Sequence, residues 1–283
     1  MEVRFIDDQL INNTVYEAIK YITYHPDPAI TSLLQKALAN ENEVLRKDVL
    51  DSLIQNIELS PRVTIPLCQD TGTLIVFVEL GNCCIIKDKP IDTIINDALI
   101  KASADLYLRA SIVNDPLFNR SNINNNHPAI VHTRIVEGDK LKLKIAQKGG
   151  GAENMSRIRM MLPTCTVQDV IDFVVETVAI AGAKACPPLI LGIGIGGNFE
   201  QCAMMAKEAL LKPIGTIRSE TRYAKLEHSI LSAVNSTGIG AQGMGGDLTA
   251  LSVQIMHAPC HIASLPVAVN IQCHAHRHIE IEI

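Results

Sequence analysis

The chain has 283 residues, 47% of them hydrophobic, which is ample for a buried core and excludes a disordered protein. A net charge of −5, with no run of five or more Lys or Arg, argues against a nucleic-acid surface and toward a small-molecule or protein partner. Acids among the first eight residues exclude a secretory signal, and Pro or Gly breaks the longest apolar stretches short of a membrane span, so a cytoplasmic protein with no membrane contact is expected.

With no Trp and few aromatics, the core must come from Ile, Leu, Val, Ala and Met, which suits mixed layers of helix and sheet. Residues 8–58 place apolar side chains at three- and four-residue intervals and predict helices. TLIVFVELG (73–81) is a β-branched run entered from the loop Cys68–Gly72. The segment 90–111 predicts a long helix with Pro in its first turn and Arg109 near its C-terminal end. AIVHTRIVEGDKLKLKIAQKGGG alternates on both sides of EGD and predicts a hairpin whose second strand runs into three glycines.

TVQDVIDFVVETVAIAGAKA (166–185) reads as an apolar helix with a Thr cap and an acid three residues on. LILGIGIGG and NFEQCAMMAKEALL read as strand, turn and helix, TRYAKLEHSILSAVNSTG as a helix closed by Asn and Gly, and LTALSVQIMHA and HIASLPVAVNIQ as strands. The terminal HIEIEI alternates strictly; it is either a strand offered to a partner or a loose tail. No repeat or linker interrupts the series. The expectation is an α+β fold, a mixed sheet flanked by helices, in one domain over 1–283 with a helical start over about 1–60.

GIGIGG (192–197) satisfies the dinucleotide-binding glycine pattern after a strand, yet KPIGTIRSETRY supplies no second strand ending in an acid, so the match is weak. KGGGAEN lacks the GK[ST] of a phosphate loop and GIGAQGMGG has no lysine. Glycines can bring backbone N–H groups close to an anion, though each cluster alone reads better as a tight turn. The histidines at 274, 276 and 278 read as a solvated strand face.

Eight cysteines remain thiols or bind metal in a reducing compartment. Cys83, Cys84, Cys165 and Cys202 lie in apolar or helical contexts and read as small buried hydrophobes. Cys68, Cys186 and Cys273 lie at element ends, with Cys260 a fourth candidate. Three thiolates without a C-x₂-C pair do not suit structural zinc but would suit an iron–sulfur cluster with one iron left open. Spacing alone favours scattered structural thiols over that cluster.

PLCQDTGT, KGGGAEN, KACPPLILGIGIGG, NSTGIGAQGMGG and PCHIASLPVAVNIQCHAHRH, in that order over about residues 60–278, resemble the motif series of the class I, iron–sulfur fumarate hydratases, specifically the α subunit of the two-subunit form. The resemblance implies a [4Fe–4S] cluster held by Cys68, Cys186 and Cys273, with Cys260 a neighbour in the wall. It implies a substrate pocket with Gln69, Asp70, Arg109, Gly150 and Gly151, and His261 beside them. Asp70 and His261 are the expected catalytic side chains, Asp70 protonating or holding the leaving water; the bland readings are a turn-stabilising Asp and a core His satisfied by backbone.

The family's proton-abstracting residue belongs to a β portion absent from this sequence. The resemblance therefore implies a β-subunit partner, a small dicarboxylate substrate (fumarate or malate), and little activity of the chain alone. Rival expectations are a tartrate dehydratase α subunit, which shares the three-cysteine plan, and a non-catalytic iron–sulfur or redox-sensing subunit.

Overall fold

The computed structural model describes residues 3–215 and 222–283. From the N-terminus the chain forms β1 (Arg4–Ile6), α1 (Asp8–Tyr24), α2 (Pro28–Asn40), α3 (Val44–Val63), β2 (Thr73–Gly81), β3 (Cys84–Ile86), α4 (Ile91–Asp105), β4 (Ile130–Val136) and β5 (Leu141–Lys148). It continues through a short α5 (Gly150–Glu153), β6 (Arg157–Met161), α6 (Val167–Ala181), β7 (Leu189–Gly197), α7 (Phe199–Ala209), α8 (Arg222–Asn235), β8 (Ala250–Cys260), β9 (Leu265–Gln272) and β10 (Arg277–Glu282). This is the mixed α and β architecture, with a helical start, that the sequence predicts. The chain packs as two compact units: Met1–Asp27, Ile57–Gly150 and Arg277–Ile283 form the first, and Pro28–Asn56 and Gly151–His276 the second.

In the first unit a four-stranded mixed sheet runs in the order β10-β5-β2-β4, and β1 pairs with β3 in parallel. α1 turns Ile11, Val15, Ala18, Ile19 and Ile22 inward because they recur on one helical stripe, and α4 does the same with Ile94, Ile95, Ala98, Leu99 and Ala102. These side chains pack with Leu74, Val76, Val78, Leu141, Leu143 and Ile145 of the sheet, each fully buried aliphatic contributing about 1.5–3 kcal/mol. Asp7 caps α1 by accepting from the backbone N–H groups of Gln9 and Leu10.

Three expectations are corrected here. β4 and β5 do not form a hairpin: β2 lies between them, parallel to β4 and antiparallel to β5. β2 is an almost continuous buried run, which suits a central strand paired on both edges, while EGDK folds over its end, Gly81 N–H donating to the Lys140 carbonyl. Arg109 lies beyond α4, which ends at Asp105, since Tyr107 takes a left-handed φ of 53° that cannot continue a helix. HIEIEI is neither loose nor left for a partner: β10 pairs with β5, and Ile279, Ile281 and Ile283 pack on this unit's own core.

In the second unit the sheet order is β6-β9-β7-β8, with β7 parallel to β8 and antiparallel to β9. Helix α6 begins as the sequence predicts, with Thr166 and Asp169 closing a reciprocal capping box. The glycines of GIGIGG serve packing: a Cβ on Gly192 would stand 2.1 Å from the Ala206 carbonyl, and one on Gly194 2.1 Å from the Cys202 carbonyl, so α7 sits directly on β7. β6 has no counterpart in the sequence reading. Of KPIGTIRSETRY, residues 216–221 lie outside the described residues, as does the start of the TRYAKLEHSILSAVNSTG helix.

Candidate active site

In the first unit the site is built around Asp70. Gly72 N–H donates to Asp70 Oδ1 at 3.1 Å, and Gly150 N–H donates to Asp70 Oδ2 at 2.8 Å. The first bond is the turn-stabilising role, closing an Asx turn; the second ties the turn to the glycine run after β5. Gly72 has φ +71°, and a Cβ there would stand 2.2 Å from the Lys148 carbonyl, so only glycine brings the QDTG turn this close to the end of β5.

Thr71 Oγ1 donates to the Arg109 carbonyl at 2.8 Å and fixes the loop beyond α4 against the same turn. Asp70, Gly72, Arg109, Ser111, Asn122 and Gly150 line a cleft of about 330 Å3. The exposed side chains of Gln69 and Arg109 have no hydrogen-bond or ion-pair partner among the described residues. The planar guanidinium of Arg109, which lines the cleft, is suited to a carboxylate. The Gly150 N–H, expected to face substrate, here serves Asp70; Gly151 belongs to the second unit, with an ideal Cβ 3.4 Å from the Lys184 carbonyl.

In the second unit Cys186 is exposed, in a left-handed conformation (φ 52°) between a 3₁₀ turn and the cis Pro187–Pro188 peptide. His274, the residue after Cys273, has Nδ1 3.0 Å from the Cys186 carbonyl. Gln242 Nε2 donates to the Pro187 carbonyl at 2.7 Å and lies 3.2 Å from His274 Nδ1. The loops bearing Cys186 and Cys273 are thus fastened to each other and to the glycine-rich segment 238–246.

His261 occupies the exposed turn between β8 and β9. The core-histidine reading is corrected, since the ring is exposed; its Nδ1 accepts from the Ala263 N–H at 3.1 Å. Cys260, the last residue of β8, has Sγ 3.3 Å from the Ser264 carbonyl. The histidine-face expectation is corrected: His274 lies in a loop, His276 is buried with Nε2 2.9 Å from the Leu210 carbonyl, and only His278 lies in β10.

All eight cysteines are thiols. Burial pushes the Cys202 thiol up to about 11, as expected of a core residue. Cys68 is half-buried in the turn next to Asp70. Among the described residues no group of three or more His, Cys, Asp or Glu stands ready to hold a metal ion. Thiolates are the donors an iron–sulfur cluster takes; Cys68 in the first unit, and Cys186 and Cys273 in the second, each lie in a loop at an element end, and none is fully buried. Sequence reasoning missed Thr71, Asn122 and Arg277; the asparagine-rich stretch NINNN (122–126) is the one signal that could have pointed to a loop held by side-chain bonds, as in Asn122 Nδ2 donating to the Ala110 carbonyl at 2.9 Å.

The family model described as fumarate hydratase (Fumerase) matches residues 12–282. A putative L(+)-tartrate dehydratase subunit alpha of Methanocaldococcus jannaschii is 37% identical over 94% of this chain and 95% of its own length. The L(+)-tartrate dehydratase subunit alpha of Escherichia coli K12 is 28% identical over 90% of this chain and 84% of its own.

Proposed function

The chain belongs to the class I fumarate hydratase family, and from that premise we propose that it is the α subunit of an iron–sulfur hydro-lyase for the reversible hydration of fumarate to (S)-malate. The observation that carries the reading is the turn Cys68–Gln69–Asp70, in which the doubly anchored Asp70 lines one cleft with Arg109, whose guanidinium has no partner among the described residues.

Cys68, Cys186 and Cys273 would hold a [4Fe–4S] cluster. When bound, it supplies the Lewis acidity of one open iron toward the departing hydroxyl. Arg109 and Gln69 would bind a substrate carboxylate and stabilise the negative charge that develops on it as the neighbouring C–H loses its proton. Asp70 accepts one N–H on each oxygen; its remaining lone pairs would accept from the leaving water, and with a proton on its carboxyl it would donate that proton to the departing hydroxyl, which then leaves as water; His261 is the second proposed catalytic side chain.

The base that removes the C–H proton is assigned to a separate β subunit, which the "subunit alpha" names of the relatives support. A cytoplasmic site of action is part of the proposal; no described helix is long and apolar enough to cross a membrane. A second reading, dehydration of L(+)-tartrate, is favoured by those same names. The test is the anaerobically reconstituted α–β pair, assayed separately with fumarate and L-tartrate. Fumarate hydration by the pair and little by the chain alone supports the proposal. Full activity of the chain alone overturns the subunit division, tartrate turnover alone selects the second reading, and turnover of neither removes the hydro-lyase reading.

A further inference from the structure

Arg277 is 1% exposed and stands first in β10, opposite Gln147 of β5. Its Nη2 donates to the Asp70 carbonyl at 2.7 Å, and its Nε and Nη1 are buried with no partner among the described residues. A guanidinium stays charged at every physiological pH, and burying it without an opposite charge is strongly unfavourable. An aliphatic side chain would fill the same volume without that cost. The one interaction that sets arginine apart here is its bond to the Asp70 peptide.

Asp70 is therefore held at three points. Two of them, the Gly72 and Gly150 N–H groups, come from its own turn and from the neighbouring glycine run, and move if those loops move. The third reaches from a sheet strand six residues long whose whole length is paired with β5. A charged donor makes this the strongest kind of hydrogen bond available to a carbonyl.

We propose that Arg277 is a positioning residue for the site: it anchors the Cys68–Asp70 turn to β10 and so fixes the direction of the Asp70 carboxylate. Arg277 does not line the cleft, so it acts through Asp70. The functional part of this inference rests on Asp70 belonging to the hydro-lyase site, whereas the anchoring itself does not.

The test is amide hydrogen exchange on the full chain carrying Arg277→Met or Arg277→Lys, read at Gly72 and Gly150, with Val76 of β2 as the internal control. Met should speed exchange at both glycines by about tenfold or more and leave Val76 unchanged, with Lys intermediate. In the reconstituted α–β pair the Met variant should lower kcat by about tenfold with KM within about threefold, and Lys should restore part of it. Unchanged Gly72 and Gly150 amides, or Val76 loosened by the same factor, would overturn the anchoring. If the Met variant does not fold, the Lys variant decides: about threefold faster exchange at the two glycines supports the proposal and none overturns it. The exchange readout is independent of turnover, so an inactive parent pair would count against the proposed function alone.

Discussion

His274 and Cys186, 88 residues apart, meet through a 3.0 Å contact between an imidazole nitrogen and a backbone carbonyl. That contact fastens the loop after β9 to the left-handed residue before Pro187. Two of the three proposed cluster ligands thereby lie on loops joined by this contact.

His274→Ala should free the Cys186 loop while removing no sulfur ligand. Iron and sulfide lost per hour from the reconstituted protein should rise by about tenfold, with the loss rate of a Cys260→Ser variant unchanged. Equal loss rates for His274→Ala and the parent would show that the contact does not support the site.

Arg109→Ala should lower kcat/KM for the dicarboxylate by about 100-fold, since it removes a charge-assisted, planar carboxylate donor, and Arg109→Lys should recover only a part. Thermal stability should stay unchanged, because the Arg109 side chain makes no bond within the described residues. Steady-state kinetics together with a melting curve checks both.

Gly194→Ala places a methyl 2.1 Å from the Cys202 carbonyl, where helix backbone leaves no flexible side chain to move aside. A loss of about 1–3 kcal/mol, toward the upper end, is expected in chemical denaturation. A dinucleotide role for GIGIGG would instead leave stability unchanged and abolish nucleotide binding.

Burial holds the His278 imidazole below its ordinary value of 6.5, while Asp27 and Glu280 pull it back upward. The native state then binds fewer protons than the unfolded chain, so the stability that this group contributes is present above about pH 6.5 and falls as the pH drops below that value. His278→Gln should flatten the pH dependence of unfolding in that acidic window. A parallel profile for variant and parent would assign the dependence to other groups.

Local chemistry was readable in the sequence wherever a short segment decides its own structure. The β-branched run made β2, Thr166 with Asp169 made the start of α6, and the apolar stripes made α1 and α4. Pairing was less legible: β4 and β5 alternate and flank a Gly-containing tight segment, yet β2, more than fifty residues before β5 begins by sequence numbering, separates them, and no local signal records that. Of the site, Cys68, Gln69, Asp70 and Arg109 could be singled out by residue type and motif. Arg277 could not, because in CHAHRH it looks like surface charge, and its role follows from a register in which β10 returns to the first unit.

The central claim concerns three thiols and is tested most directly by counting iron and acid-labile sulfide after anaerobic reconstitution of the parent and of Cys68→Ser, Cys186→Ser, Cys273→Ser and Cys260→Ser. The account predicts about four of each per chain in the parent and in the Cys260 variant, and a marked loss in the other three. Full iron and sulfide in any of the Cys68, Cys186 or Cys273 variants would contradict it.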